Sequence, residues 1–393
     1  MKKRELTIVN LIILVLALSF GWLAFRLSVN RSPLADPQSQ AQALAQAKQA
    51  DGSSCSHHAP LKLAAGGDQN LNRLRDYQTV CQSFVTSKLM VFTTFSDSPA
   101  AAQADAASMA AKLKLFKQSG VTPFVMAEPY ISSGAMSYRA YLAGDYDAAM
   151  TQYFQQLKND GVTDSMMGTW VPFPESNVPG WNNMGTEPHD YALCVNKYLS
   201  LLKQYFPGAK GSILLSATTY EPDDTNWENG NYISLSPYVD ALDRNLVTSV
   251  GIEGFPWMSN AKQAPHTIFN AAEFLQPDLA IGMAQVLRTR DIWINTGTFD
   301  GKYTNDASKT VHMSVTERKA ILDDVLQVAT NLRDYQENQY RVSVNLFSED
   351  KSNTTEATDW SYFQNASSEA VLKDFLVQAN KDSVPISISD KTK

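Results

Sequence analysis

Cysteine, histidine and clustered positive charge are scarce in this chain, and each scarcity closes off a class of function. Its 393 residues include three cysteines and five histidines. His57 and His58 stand beside Cys55, but no second Cys or His follows at the spacing that a zinc site requires, so no metal is expected. Lysine and arginine total 33 against 40 acidic residues. They gather into no basic stripe, which argues against a nucleic-acid partner. No Gly-rich phosphate turn follows the first β-prone run, so a dinucleotide-binding sheet lacks its signature and no cofactor is called for.

Apolar residues are plentiful instead. At 44% hydrophobic and only 19% charged, the chain can bury a sizeable core. Its first apolar block follows Lys2, Lys3 and Arg4 and runs from Leu6 to Phe25, interrupted only by Thr7, Asn10 and Ser19. About 20 such residues at helical rise span the hydrocarbon of a bilayer. A cleaved secretory signal would be shorter and end in a small-x-small site, whereas this run ends Ala24-Phe25-Arg26-Leu27. The expectation is an uncleaved signal anchor in the cell membrane. Three cations before the run outweigh Arg26 and Arg31 beyond it, which keeps the N-terminus cytoplasmic and the bulk of the chain extracytoplasmic.

The organisation that follows is a cytoplasmic tip and transmembrane helix over 1–26, a tether over 27–54, a globular domain over 55–380 and a tail over 381–393. Residues 35–54 are rich in Ala, Gln and Ser without an aromatic, as a tether should be. In a translocated segment three cysteines allow one disulfide. Cys55 and Cys81, both ahead of the first strand, are the expected pair, and Cys194, at helical spacing among apolar residues, is expected to be a buried thiol.

Within 55–380, β-prone runs alternate with amphipathic helical stretches. The runs are LMVFTTF (89–95), TPFVMAEPY (122–130), SMMGTWVPF (165–173), GSILLSATTY (211–220), VTSVGIEGFPW (247–257), DIWINTGTF (291–299) and YRVSVNLFS (340–348). Ser98-Pro99 opens the first helix, and Gly120, Gly161 and Pro207-Gly208 close the first three. Strands apolar on both faces and each followed by a helix require a parallel sheet clothed in helices. Seven strands are clear, and the eighth is either near LKLAAG (61–66) or a poorly patterned segment. The fold class expected is α/β, a (β/α)8 TIM barrel behind an N-terminal transmembrane anchor, with an open doubly wound sheet as the alternative.

Side chains that work in such a barrel lie just past the C-terminal strand ends. Those positions hold Asp97; Glu128 and Tyr130; Trp170, Glu175, Asn177 and Trp181; Tyr220 and Glu221; Glu253, Phe255 and Trp257; Asn295 and Thr298; and Asn345, Phe347, Asp350 and Trp360. Carboxylates interleaved with aromatics suit a carbohydrate, because flat rings stack on the C–H face of a sugar while acids and amides take its hydroxyls. The expected partner is a polysaccharide or oligosaccharide.

The order of three further runs carries a family likeness. FVMAEPY, GDYDAAMTQYFQQLKNDG and GTWVPFPESNVPGWN, followed by SPYVDAL, VGIEGFPW, IWINTGTF and VNLFSEDKSNTTEATDW, resemble the mannanase-type glycoside hydrolase family 26 over about residues 89–363. The resemblance implies a retaining (β/α)8 glycosidase, with Glu175 as general acid/base, Trp181 in the sugar platform, and Glu128 and Tyr130 shaping the glycone side. It also brings two departures. Pro174 stands where a His usually precedes the acid/base, and Asn295 stands where the nucleophilic Glu is expected. An amide is neither basic nor a good nucleophile. Three accounts stay open: Glu253, by strand order, supplies the second carboxylate; the barrel binds sugar without hydrolysing it; or the register on this strand is slipped and Asp300 serves. A third class of function, a structural partner of other envelope proteins, would scatter the aromatics without a shared cleft.

Overall fold

The computed structural model describes residues 74, 76–77, 80, 88–131, 134–178, 188–217, 235–256, 270–299, 301–303, 310–335, 340–349, 358–359, 362 and 366–390. All belong to one compact unit, Cys55–Lys393. The apolar run Leu6–Phe25, the tether, Cys55, Cys81, Trp181, Tyr220, Trp257 and Trp360 lie outside the described residues. Among the described residues, no helix is long and apolar enough to cross a membrane.

Eight parallel strands close a barrel: β1 Lys88–Thr94, β2 Thr122–Glu128, β3 Thr169–Pro172, β4 Lys210–Ser216, β5 Val247–Glu253, β6 Asp291–Thr296, β7 Arg341–Ser348 and β8 Ile386–Asp390. Six longer helices run between them: α1 Pro99–Gln118, α2 Asp147–Asn159, α3 Pro188–Tyr205, α4 Pro277–Leu287, α5 Val315–Arg333 and α6 Ala366–Lys381. The closing strand is a correction. It is not 61–66 but Ile386–Asp390, inside what the sequence reading takes for a tail, and it pairs in parallel with both β1 and β7. The short alternating ISISD run is weak as a strand signal in isolation and gains its partners only when the ring closes.

Local signals account for the helices. The Ser98 hydroxyl accepts from the Ala101 N–H to cap α1, and Pro99 occupies its first turn, where the missing N–H costs nothing. Ser314 and Glu317 form a reciprocal capping box on α5.

Strand alternation separates two apolar sets. Leu89, Val91, Val125, Trp170, Ile213, Val250, Ile292, Val344 and Ile388 join the large core under the helices. Met90, Phe124, Met126, Val171, Leu214 and Trp293 fill the barrel itself. The Trp293 indole lies edge-on to Phe124 at 4.7 Å and donates to the Ser212 hydroxyl at 2.9 Å. Its ring fits because Gly251 faces it, where a Cβ would approach the ring to 2.3 Å. The interior is therefore a plug, and chemistry is confined to the mouth above it.

Candidate active site at the barrel mouth

The loop after β3 is held in a costly conformation. Phe173 and Glu175 have φ of 52° and 57°, a left-handed region that costs a residue with a Cβ about 1–2 kcal/mol. Several hydrogen bonds fix the loop there. The Glu175 N–H donates to the Leu214 carbonyl at 2.9 Å and the Val178 N–H to the Glu175 carbonyl at 3.0 Å. The Ser176 hydroxyl donates to the Phe173 carbonyl at 2.8 Å. Asn177 donates to the Ser216 carbonyl at 2.8 Å and accepts from the Ser216 N–H at 2.9 Å. Beneath the loop the buried Phe173 ring packs on Phe95 and Tyr141, with centroids 5.3 and 5.1 Å away. Strain this thoroughly enforced is a feature of sites that must aim a side chain. Here the aimed side chain is Glu175, half-buried at the mouth.

Glu175 meets Glu253. The two side chains interact at the mouth, and Glu253 is 5% exposed at the end of β5. Burial first, then the Glu175 charge and hydrogen bond, push the Glu253 carboxyl well above the ordinary glutamate range, while a hydrogen bond from Asn295 pulls it down.

Glu253 belongs to a level row of inward side chains. It pairs in register with Asn295, Asn295 with Asn345, and Asn345 with Ser387, across β5, β6, β7 and β8. The Asn295 amide donates to Glu253 Oε2 at 2.5 Å, the Asn345 amide donates to Asn295 Oδ1 at 2.6 Å, and the Ser387 hydroxyl donates to Asn345 Oδ1 at 3.0 Å. All four are buried, between 1% and 8% exposed. Asn345 is one of the expected strand-end residues, and Ser387 is the addition that sequence reasoning did not make. Its signal was parity on a short alternating strand.

The remaining expected residues fall into three groups. Glu128, at the end of β2, is half-buried and with Phe92, Thr94, Asp105 and Lys112 lines a hollow of about 240 Å³. Tyr130 is half-buried in a short antiparallel pair, Tyr130–Ile131 with Gly134–Ala135. Trp170 and Asn177 require correction as sugar-binding residues. Trp170 is fully buried toward the helices, donates to the Met167 carbonyl at 2.8 Å and packs on Phe154 and Tyr198. The outward parity of its strand position gives it to the core. Asn177 spends its amide on the β4 backbone. The aromatics the described mouth does carry are Phe255 and Phe347, half-buried just beyond or at the ends of β5 and β7, with centroids 5.7 Å apart. Cys194 is a buried free thiol, pushed far up by burial.

No family model matches the sequence, and neither does any curated protein. Solved structures similar in outline include a family 1 β-glucosidase from Thermotoga maritima (12% identity, TM-score 0.47, 84% of this chain and 95% of that one). An endo-β-1,4-mannanase from Thermotoga petrophila gives 9% identity and a TM-score of 0.46 over 78% of this chain and 72% of that one. Fungal β-1,4-galactanases give 11% and 0.45 over 76% and 90%. These likenesses are too distant to bear on chemistry. What defines the class is the closed ring of eight parallel strands with its polar residues at the C-terminal mouth: the chain is a (β/α)8 barrel.

Proposed function

We propose that this barrel is a glycoside hydrolase acting on a β-linked glycan, with Glu175 as proton donor and Glu253 as the second carboxyl. The observation that carries the reading is that Glu175, aimed by its strained loop, acts on the buried Glu253 carboxyl at the mouth. A retaining glycosidase needs its carboxyls about 5–5.5 Å apart, an inverting one about 6.5–9.5 Å with a water between. The interaction between the two acids favours the shorter spacing and with it retention. Glu253 stands level with Asn295 on the neighbouring strand, so it offers a carboxylate at the height where the family resemblance finds only an amide. Its burial suits the attacking group. Half-buried Glu175, nearer solvent, suits the group that protonates a departing sugar. Phe255 and Phe347, in contact with each other at the strand ends, supply flat apolar surface at the mouth.

The reading extends to location: the Leu6–Phe25 run anchors the protein in the membrane with the barrel outside the cytoplasm. The catalytic proposal is tested by incubating the protein with a panel of β-linked polysaccharides and aryl β-glycosides. Glu175→Gln and Glu253→Gln are each expected to cut turnover by at least about a hundredfold while sugar binding persists. The first-formed product should keep its anomeric configuration. Turnover untouched by Glu175→Gln would remove the acid assignment. Binding without turnover in the unaltered protein would instead support the second reading, favoured by Asn295, of a barrel that holds sugar and does not cut it.

A further inference from the structure

The row beneath the carboxyl pair has a direction. A hydroxyl gives a proton to an amide oxygen, that amide's nitrogen gives one to the next amide oxygen, and the second nitrogen gives one to a carboxylate. Every donor points the same way, from Ser387 through Asn345 and Asn295 to Glu253 Oε2. Each link fixes the next. A carboxylate oxygen can only accept, so Asn295 must present its nitrogen to it and its oxygen to Asn345, which must then turn its own oxygen to Ser387. Bonds in such a chain polarise one another, and the effect is concentrated where water is excluded.

We propose that Ser387, Asn345 and Asn295 form a polarised relay of positioning residues that orients the Glu253 carboxyl through Oε2 and supports negative charge on it. The assignment rests on the glycosidase reading for its purpose but not for its geometry. Asn295 acquires a reason to be an amide: a carboxylate there would repel Glu253, whereas the amide passes polarisation on. Burial disfavours charge on Glu253, the deeper of the two, and the Asn295 N–H at the end of the row opposes that in part. Among the described residues, Glu175 is the one charged group that acts on Glu253. Asn295, from the adjoining strand, is its hydrogen-bond partner.

The test reads Glu253 itself. The full chain, carrying glutamate labelled with 13C at the side-chain carboxyl, is titrated by NMR in detergent, the Glu253 signal being the one lost in Glu253→Gln. Asn345→Asp replaces an obligatory donor with an acceptor and should raise the Glu253 midpoint by about one pH unit or more. Ser387→Ala, which loses one hydroxyl and changes no charge, should shift it less in the same direction, and Ser387→Thr should restore it. If Asn345→Asp fails to fold, the Ser387 pair decides. An unchanged midpoint in folded Ser387→Ala and Asn345→Asp overturns the relay. In parallel, hydrolysis of p-nitrophenyl β-glycosides should show the acid limb of the pH profile moving up with the midpoint and kcat falling more than KM changes. Midpoints that shift in a protein hydrolysing none of these or the polysaccharides would sustain the relay and sink the glycosidase reading. Hydrolysis with immobile midpoints would do the reverse.

Discussion

Glu175 occupies a left-handed backbone conformation that asparagine or glycine would adopt more readily, and the protein keeps glutamate there. The loop around it is fixed by the Leu214, Phe173 and Ser216 contacts, none of which uses the Glu175 side chain. Removing the side chain should therefore relieve strain without dismantling the loop. Glu175→Gly is expected to raise stability to denaturant by about 1 kcal/mol, offset in part by the greater freedom of glycine in the unfolded chain, while hydrolysis is lost. Chemical denaturation of both proteins under matched conditions measures this. A variant less stable than the parent would show that the side chain holds the mouth together and would remove the argument from strain to function. The same scale explains the Trp170 correction. A tryptophan near a strand end reads as a sugar platform in sequence, and one step of parity sends its ring into the helical layer instead, where the indole N–H already has the Met167 carbonyl.

The elements divide by how local their signals are. α1 and α5 were legible because caps, first-turn proline and terminal glycine write their own boundaries into the chain. The first seven strands were legible because parallel strands buried on both faces leave runs of β-branched and aromatic residues. β8 was not: five residues, ISISD, carry little apolar surface, and their place is set by partners on β7 and on β1, the latter almost the whole domain away. The candidate site followed the same division. Glu175, Glu253 and Asn345 stood out at strand ends, while Ser387 became visible only once register put it level with Asn345 and Asn295. Register also explains Gly251, which seems dispensable in a strand until Trp293 is seen filling its place on the neighbour. Gly251→Ala puts a methyl group into a rigid indole backed by Phe124, so it is expected to destabilise the barrel by about 1–3 kcal/mol, seen as a lowered denaturation midpoint. Because Trp293→Phe shrinks the ring, the double variant should recover part of the loss. A single alanine variant as stable as the parent would contradict the packed interior described above.

At the scale of the whole molecule the question is where the barrel works. A polymeric glycan cannot be reached from within a compartment that excludes it, so an enzyme for such a substrate must be delivered to the outside and, unless it is to diffuse away, held there. On the proposed reading the Leu6–Phe25 run would do both jobs if it remains uncleaved, with the Ala, Gln and Ser-rich stretch after it as the proposed tether. Secretion would also place Cys55 and Cys81 where a disulfide can form, closing a loop worth on the order of 3 kcal/mol by chain-entropy estimates, and would leave Cys194 reduced only because it is buried. Cell fractionation is expected to find the full chain in the membrane pellet, released by detergent and not by high salt. A chain truncated to begin at Cys55 should be soluble and folded. Protease added to intact cells should digest the barrel and spare a short N-terminal fragment, which the proposed orientation, set by the cations before the run, would keep in the cytoplasm. A shortened mature protein lacking residues 1–26 would show that the run is a cleaved signal, and a barrel protected until the cells are broken would reverse the orientation and, with it, the case for an external glycan as the substrate.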